Sequence, residues 1–208
     1  MPKILYLDKN IVVAIKPSGY LSEGGGYLSF PDALAEEIGA SPLAVHRLDR
    51  ETEGIMVYAL DKPSAAALSA QIQGGDWKKI YTAVLWGVPE KESGQLCDML
   101  YYDRSKNKSF VVKKERKGVK LALLDYSVLW TSEDKKRSAV SVTLGTGRTH
   151  QIRVQFASRG TPVCGDRRYG APAESGKRLA LFATRLCFRH PVTNEQMEFS
   201  IEPDVLKD

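Results

Sequence analysis

His46-Arg47-Leu48-Asp49-Arg50-Glu51-Thr52-Glu53-Gly54 runs directly into Ile55-Met56-Val57-Tyr58-Ala59-Leu60, a charged turn followed by an apolar run. The run has strand length and carries β-branched and aromatic residues, so it reads as a buried strand with the turn at its lip. Asp49 then sits at the edge of a strand, flanked by His46, Arg47 and Arg50. Neighbouring positive charge favours the anionic carboxylate, which leaves Asp49 available as a nucleophile or a base. Taken alone, the same residues are equally well explained as a solvent-facing salt-bridge turn.

A second segment separates these readings. Gly145-Thr146-Gly147-Arg148-Thr149-His150-Gln151-Ile152-Arg153 packs glycines, arginines, a histidine and a glutamine into one turn. The glycines permit tight backbone, and Thr149 is placed to cap a helix. Ile152, Phe156 and Ala157 have helical spacing in the run toward Gly160. Arg148 falls at the helix entrance, where it can point at an anion.

Together the His-Arg-Leu-Asp turn and the Gly-Arg-Thr-His-Gln-Ile-Arg turn resemble those of the RluA-type RNA pseudouridine synthases. The resemblance spans nearly the whole chain. Ile4-Leu5-Tyr6-Leu7-Asp8, then Val12-Val13-Ala14-Ile15-Lys16-Pro17-Ser18-Gly19, is similar to that family's opening strand pair and its Lys-Pro-x-Gly turn. Lys79-Ile80-Tyr81-Thr82-Ala83-Val84 is similar to its Lys-x-Tyr-x-Ala strand. Gly160 to Gly170 resembles its Gly-x-Pro-x-x-Gly-Asp-x-x-Tyr-Gly segment, and Leu179 to Ala183 with His190-Pro191-Val192-Thr193 its closing strand and hairpin. Each motif alone is weak, but several in one order are a strong signal. Two positions depart from the pattern. Glu53 stands where the family usually has a small hydroxyl residue, and Phe182 where many members carry a histidine. Neither is a residue the chemistry requires, so both bear on substrate choice.

The resemblance implies that the chain isomerises uridine to pseudouridine in structured RNA, ribosomal or transfer RNA, after flipping the target base out of its stack. Asp49 is then the catalytic carboxylate. The sequence leaves three uses of it open: addition to the uracil ring, attack on the sugar C1′, or action as a base. The resemblance puts Tyr81 against the flipped uracil, its ring stacking and its hydroxyl available for proton transfer at C5. Arg148 pairs with Asp49 in forked geometry and holds its orientation. A planar guanidinium suits Arg47 to fill the vacated stack. His46 is a loop-packing or phosphate contact. Among His150, Gln151 and Arg153, one or two reach the RNA or the uracil and the others brace the turn.

Composition is compatible with this. At 208 residues the chain suits one domain, 1–208, with room for two lobes and a sizeable core. The catalytic motifs begin close to its first residue, so no appended RNA-binding domain is expected. A net charge of +5 favours a polyanionic partner. Cys97, Cys164 and Cys187 are isolated, which argues against structural zinc and a disulfide scaffold, and they read as buried or partly buried free thiols. With no apolar stretch of membrane-spanning length and no leader pattern, a cytoplasmic monomer without membrane contact is expected. The isomerisation needs no redox change, metal or cofactor, and none is expected. Gly170 to Arg178 superficially suggests a phosphate loop, but its glycines are one residue too far apart and Arg178 replaces the hydroxyl residue.

Two other functions compete with this one. A catalytically silent RNA-binding protein of the same fold is disfavoured because Asp49, Tyr81 and Arg148 are all present. A hydrolase using Asp49 with His46 or His150 lacks a nucleophile turn, metal-ligand spacing or a second well-placed carboxylate.

The remaining pattern predicts an α+β fold with a mixed, mostly antiparallel sheet. Strands are expected at Ile11–Ile15, Ile55–Leu60, Ile80–Val88, Leu121–Trp130, Ala139–Leu144, Leu179–Ala183 and Leu186–Arg189, with a last one through Met197, Phe199 and Ile201. Helices are expected over Asp32–Ile38 and Ser64–Ile72, stopped by Gly39 and Gly74-Gly75. Residues 96–119 are the least regular, with Arg104, Lys106, Lys108, Lys113, Lys114, Arg116 and Lys117 interleaved with Tyr101, Tyr102 and Phe110. Such a mixture can hold phosphates and stack bases, or can form a solvated hairpin.

Overall fold

The computed structural model describes residues 1–203. It divides into two compact units, Met1–Lys79 with Phe182–Pro203, and Ile80–Leu181. The strands, in chain order, are β1 (Lys3–Leu7), β2 (Ile11–Lys16), β3 (Leu43–Ala44), β4 (Glu53–Ala59), β5 (Lys78–Trp86), β6 (Ser93–Asp103), β7 (Lys108–Val111), β8 (Val119–Thr131), β9 (Arg137–Leu144), β10 (Leu181–Arg189) and β11 (Gln196–Ser200). The helices are α1 (Phe30–Ile38), α2 (Lys62–Gly74) and α3 (Gln151–Ala157). All but one of the described strand pairings are antiparallel, the exception being β4 with β10. Among the described residues no helix is long and apolar enough to cross a membrane.

In the first unit β2 and β4 pair along their length, Ile11 opposite Ala59 through Lys16 opposite Gly54. Both strands are apolar at nearly every position because both faces are covered. Ile11, Val13, Ile55 and Val57 join Leu68 of α2 and Phe188 of β10 in one core. On the other face Tyr58 meets Phe30 of α1 at 6.0 Å. Both helices begin and end as their sequences dictate. Ser29 and Asp61 cap the N-termini by accepting from Asp32 N and Ser64 N, and Gly39 and Gly75 take the left-handed conformation at the C-termini.

The parallel contact of β4 with β10 is short, Glu53 opposite Phe182 and Gly54 opposite Ala183. Gly54 has φ 138°, and a Cβ there would lie 2.4 Å from the Ala183 carbonyl oxygen. No side chain fits. The two departures from the family pattern, Glu53 and Phe182, are therefore register partners.

In the second unit the order is β5-β9-β8-β6-β7. Leu100 and Ala122 face α3 and pack with Val154 and Tyr169. Residues 96–119, expected to be the least regular, are irregular only over 112–118 and otherwise form β6, the β6–β7 hairpin and the first residue of β8, with Ser93 to Tyr101 paired to β8 throughout. Their aromatic and basic residues hide the period-two pattern that a half-buried strand normally displays. Likewise Leu179–Ala183 and Leu186–Arg189 are not two strands: Leu181–Arg189 is continuous. Arg185 interrupts the apolar run without interrupting the ladder, because it pairs with Glu198 across on β11. Cys97 is exposed, whereas Cys164 and Cys187 are buried.

Gly54→Ala should destabilise the protein by about 3 kcal/mol or more, since the added methyl meets backbone and a positive φ. Urea denaturation checks this; a loss under about 1 kcal/mol would mean that β10 can shift away at little cost.

Candidate active site

The turn that carries Asp49 is fixed from beneath by Lys16. This residue closes the apolar strand β2, and its side chain has no exposed surface. Its ammonium donates to the carbonyls of Pro17 (2.9 Å), Tyr20 (2.9 Å) and Arg50 (3.2 Å). Further bonds tie the same two loops together. Gly19 N donates to the Arg50 carbonyl at 2.8 Å, and Arg50 Nε to the Gly19 carbonyl at 2.9 Å. Ser22 Oγ donates to the Leu48 carbonyl and accepts from Leu48 N. Thr52 N closes the turn onto the Asp49 carbonyl at 3.0 Å. Asp49 itself is half-buried on this fixed backbone. Burial pulls Lys16 down to about 8, against the attraction of Asp49 first, then Glu53 and Glu51.

His46 lies at the start of the same turn, with its ring turned inward. Its Nε2 accepts from Val57 N at 3.1 Å, occupying a stretch of the β4 edge between the positions paired to β10 and to β3. Nδ1 must then carry the hydrogen, and it is buried with no hydrogen-bond partner among the described residues. The ring stands edge-on to Trp77, centroids 5.1 Å apart. Burial, and secondarily Lys79, hold its pKa well below the usual range, so the imidazole is neutral. Of the two roles open to His46, loop packing fits this geometry. Arg47 points outward, with a long 3.8 Å contact to Glu23, and most of its side chain is exposed.

In the second unit the Gly145–Arg153 turn is pinned to β8. Leu123 O accepts from Gly145 N, Thr146 N and Gln151 Nε2, while Leu123 N donates to Thr146 Oγ1. Gln151 Oε1 accepts from Thr146 Oγ1 (2.8 Å) and Arg148 N (3.0 Å). Arg148 Nε donates to the Leu121 carbonyl at 2.9 Å. Arg153 is buried and forks onto Asp166, Nε to Oδ2 at 2.6 Å and Nη2 to Oδ1 at 2.9 Å. His150 Nδ1 lies 3.0 Å from Tyr169 Oη, and that hydroxyl accepts from Ser109 N. Thr149 does not cap α3. His150 occupies the cap position in the left-handed conformation, with no side-chain cap bond. Tyr81 is buried on β5, opposite Val142 of β9.

The structure thus groups His46, Arg47 and Asp49 on one turn of the first unit, and Arg148, His150, Gln151 and Arg153 on one turn of the second. Sequence reading gave no role to Lys16, Thr146, Asp166 or Tyr169. A lysine ending a continuous apolar run was the available signal for the first of these.

The sequence pattern of the family described as RNA pseudouridylate synthase matches residues 10–158. An uncharacterized RNA pseudouridine synthase of Aquifex aeolicus is 37% identical, over 98% of this chain and 70% of its own length. The dual-specificity RNA pseudouridine synthase RluA of Pasteurella multocida is 35% identical over 96% of this chain and 92% of its own. Among solved structures, human RNA pseudouridylate synthase domain containing 1 superposes with a TM-score of 0.83 at 23% identity, covering 98% of this chain and 84% of its own. That last likeness shows the fold.

Lys16 should give turnover an alkaline limb. Above pH about 8 the amine keeps two hydrogens for three carbonyls, and the hold on the Arg50 carbonyl slackens. Stability should move the other way. The folded-state pKa lies below the unfolded value of about 10.4, so between the two the unfolded chain binds the proton more tightly and rising pH favours folding. Turnover measured from pH 7 to 10 should show the limb in wild type and lose it in Lys16→Met. A limb that persists in the variant would assign it to another group.

Proposed function

The chain belongs to the RluA-type RNA pseudouridine synthases, and from that membership we propose that it modifies specific uridines in structured ribosomal or transfer RNA with Asp49 as the catalytic carboxylate. The family reaction breaks the bond from C1′ to N1, turns the uracil and joins C5 to C1′. A proton leaves C5 and N1 gains one, so atoms and electrons balance within the nucleotide. The observation that carries the assignment is the Asp49 turn: its backbone is held through Lys16, Gly19 and Ser22, while the side chain remains half-buried. A carboxylate fixed this way can meet the sugar or the ring in one orientation.

In this reading Tyr81 supplies the stacking face for the flipped uracil and a hydroxyl near C5. Arg148 forks onto Asp49. Its anchoring to the Leu121 carbonyl through Nε leaves the two terminal nitrogens for that purpose. Arg47, exposed on the same turn as Asp49, fills the gap left by the extruded base. Gln151 and Arg153 brace the second turn through the bonds described above, which favours an indirect role for both. His150 is buried with its ring against Tyr169, which favours the same bracing role. The name dual-specificity, borne by several relatives, supports more than one RNA target. The protein acts as a cytoplasmic monomer with residues 1–208 as one catalytic domain, and the isomerisation requires neither metal nor cofactor.

Single-turnover assays on ribosomal and transfer RNA transcripts test this. Arg148→Ala should lower the rate at least about a hundredfold while changing RNA affinity little, and Arg148→Lys should restore little because it cannot fork. Tyr81→Phe should bind RNA normally and turn over poorly. Full activity in the Arg148→Ala protein would remove Arg148 from the site.

A further inference from the structure

The chain's positive charge is concentrated in one place. Residues 101–120 hold eight of the 30 Lys and Arg side chains and two of the 25 Asp and Glu, a net +6 against +5 for the whole protein. The rest of the chain is close to neutral. All these cations are exposed except Lys108, which is half-buried. The segment comprises the end of β6, β7 and the start of β8, and its two faces differ. Leu100 and Ala122 turn toward α3 and are buried. Alternation along the strands puts Met99, Tyr101, Phe110, Val119 and Leu121 on the opposite face, with Tyr101 directly across from Phe110. None of these is fully buried, and Leu121 is 44% exposed.

Cations already surround the two rings. The Arg116 guanidinium lies 4.3 Å from the Tyr101 ring centre and Lys106 stands 5.8 Å from that of Phe110, while Lys108, 5.7 Å from Phe110, is nearer the Tyr169 ring at 5.0 Å. Adjacent aromatic rings on an open sheet face, ringed by basic side chains, stack unpaired bases and hold the phosphates between them. A planar guanidinium over Tyr101 marks a face that a base can take or extend by stacking on the guanidinium itself. Duplex RNA cannot use the rings, since its bases are already stacked. The strand next to β6 also carries Leu121, whose carbonyl anchors Arg148, so this face is continuous with the second turn of the candidate site.

We propose that this outer face of β6, β7 and β8 is a second RNA-contact surface, on which Tyr101 and Phe110 stack bases of a single-stranded segment flanking the target uridine while Lys106, Lys113, Lys114 and Lys117 hold its phosphates. It rests on the RNA-modifying function above, but binding alone can test it. The probe is a fluorescent single-stranded RNA of about twelve nucleotides, within the span such platforms cover, with a blunt duplex of equal length as the comparison. Both are titrated with the full chain.

Tyr101→Leu with Phe110→Leu keeps bulk and removes the rings. It should weaken single-strand binding at least about tenfold, within the range stacking of two bases provides, and leave duplex binding unchanged. Exchanging the rings, Tyr101→Phe with Phe110→Tyr, should retain affinity. Replacing Lys113, Lys114 and Lys117 by Ala should lower the slope of log affinity against log salt by about 2, from roughly 0.7 per phosphate contact. Unchanged single-strand affinity in the leucine variant, or equal weakening on the duplex, overturns the proposal. Failure of wild type to isomerise any RNA, with this binding pattern intact, would instead defeat the enzymatic reading and leave the platform.

Discussion

A buried ammonium with three carbonyl partners is the constraint on which the Asp49 site depends. An isolated charge in the interior costs several kcal/mol, which is tolerable only when every donor is used. Lys16 uses its donors on Pro17, Tyr20 and Arg50, so the loop after β2 and the turn before β4 become one piece. Each charge-assisted bond contributes about 1.5 to 3 kcal/mol, and losing the lysine would leave carbonyls unpaired as well. The partners are backbone atoms, so the constraint fixes the path of the chain that carries Asp49. Gly54 completes it by letting β10 approach β4 where any side chain would block it.

The second turn follows the same logic with different atoms. Leu123, in the middle of β8, collects donors from Gly145, Thr146 and Gln151, while Arg153 and Asp166 form a buried fork below them. Polar side chains that look suited to substrate are spent on holding backbone, and Arg148 alone of the turn's arginines is left partly exposed. A few reactive groups on a heavily cross-bonded frame are what a reaction requiring one orientation of a rotating base needs.

Much of this was legible in the sequence where periodicity or capping chemistry acts locally. α1 and α2, with their serine and aspartate caps and terminal glycines, could be read directly, as could the apolar strands β2 and β4. The Asp49 turn stood out because charge adjoins an apolar run. What escaped depends on partners distant in sequence. Lys16 looks like the polar end of a strand until Arg50, 34 residues on, is placed above it. His150, not Thr149, takes the cap position of α3, with its ring against Tyr169, 19 residues on. β6 and β7 were obscured because an aromatic, basic outer face masks alternation. Glu53 and Phe182, far apart in sequence, read as unrelated departures, yet they face one another across the parallel pair.

We propose that Asp49, on the turn held by Lys16, carries out uridine isomerisation in this chain. This is tested most directly by mapping pseudouridines in ribosomal and transfer RNA from cells lacking the gene, complemented with wild type or with Asp49→Asn at equal protein level. Discrete sites should vanish on deletion, return with wild type and stay absent with Asp49→Asn, although the variant folds and binds RNA. Restoration of those sites by Asp49→Asn would contradict the account.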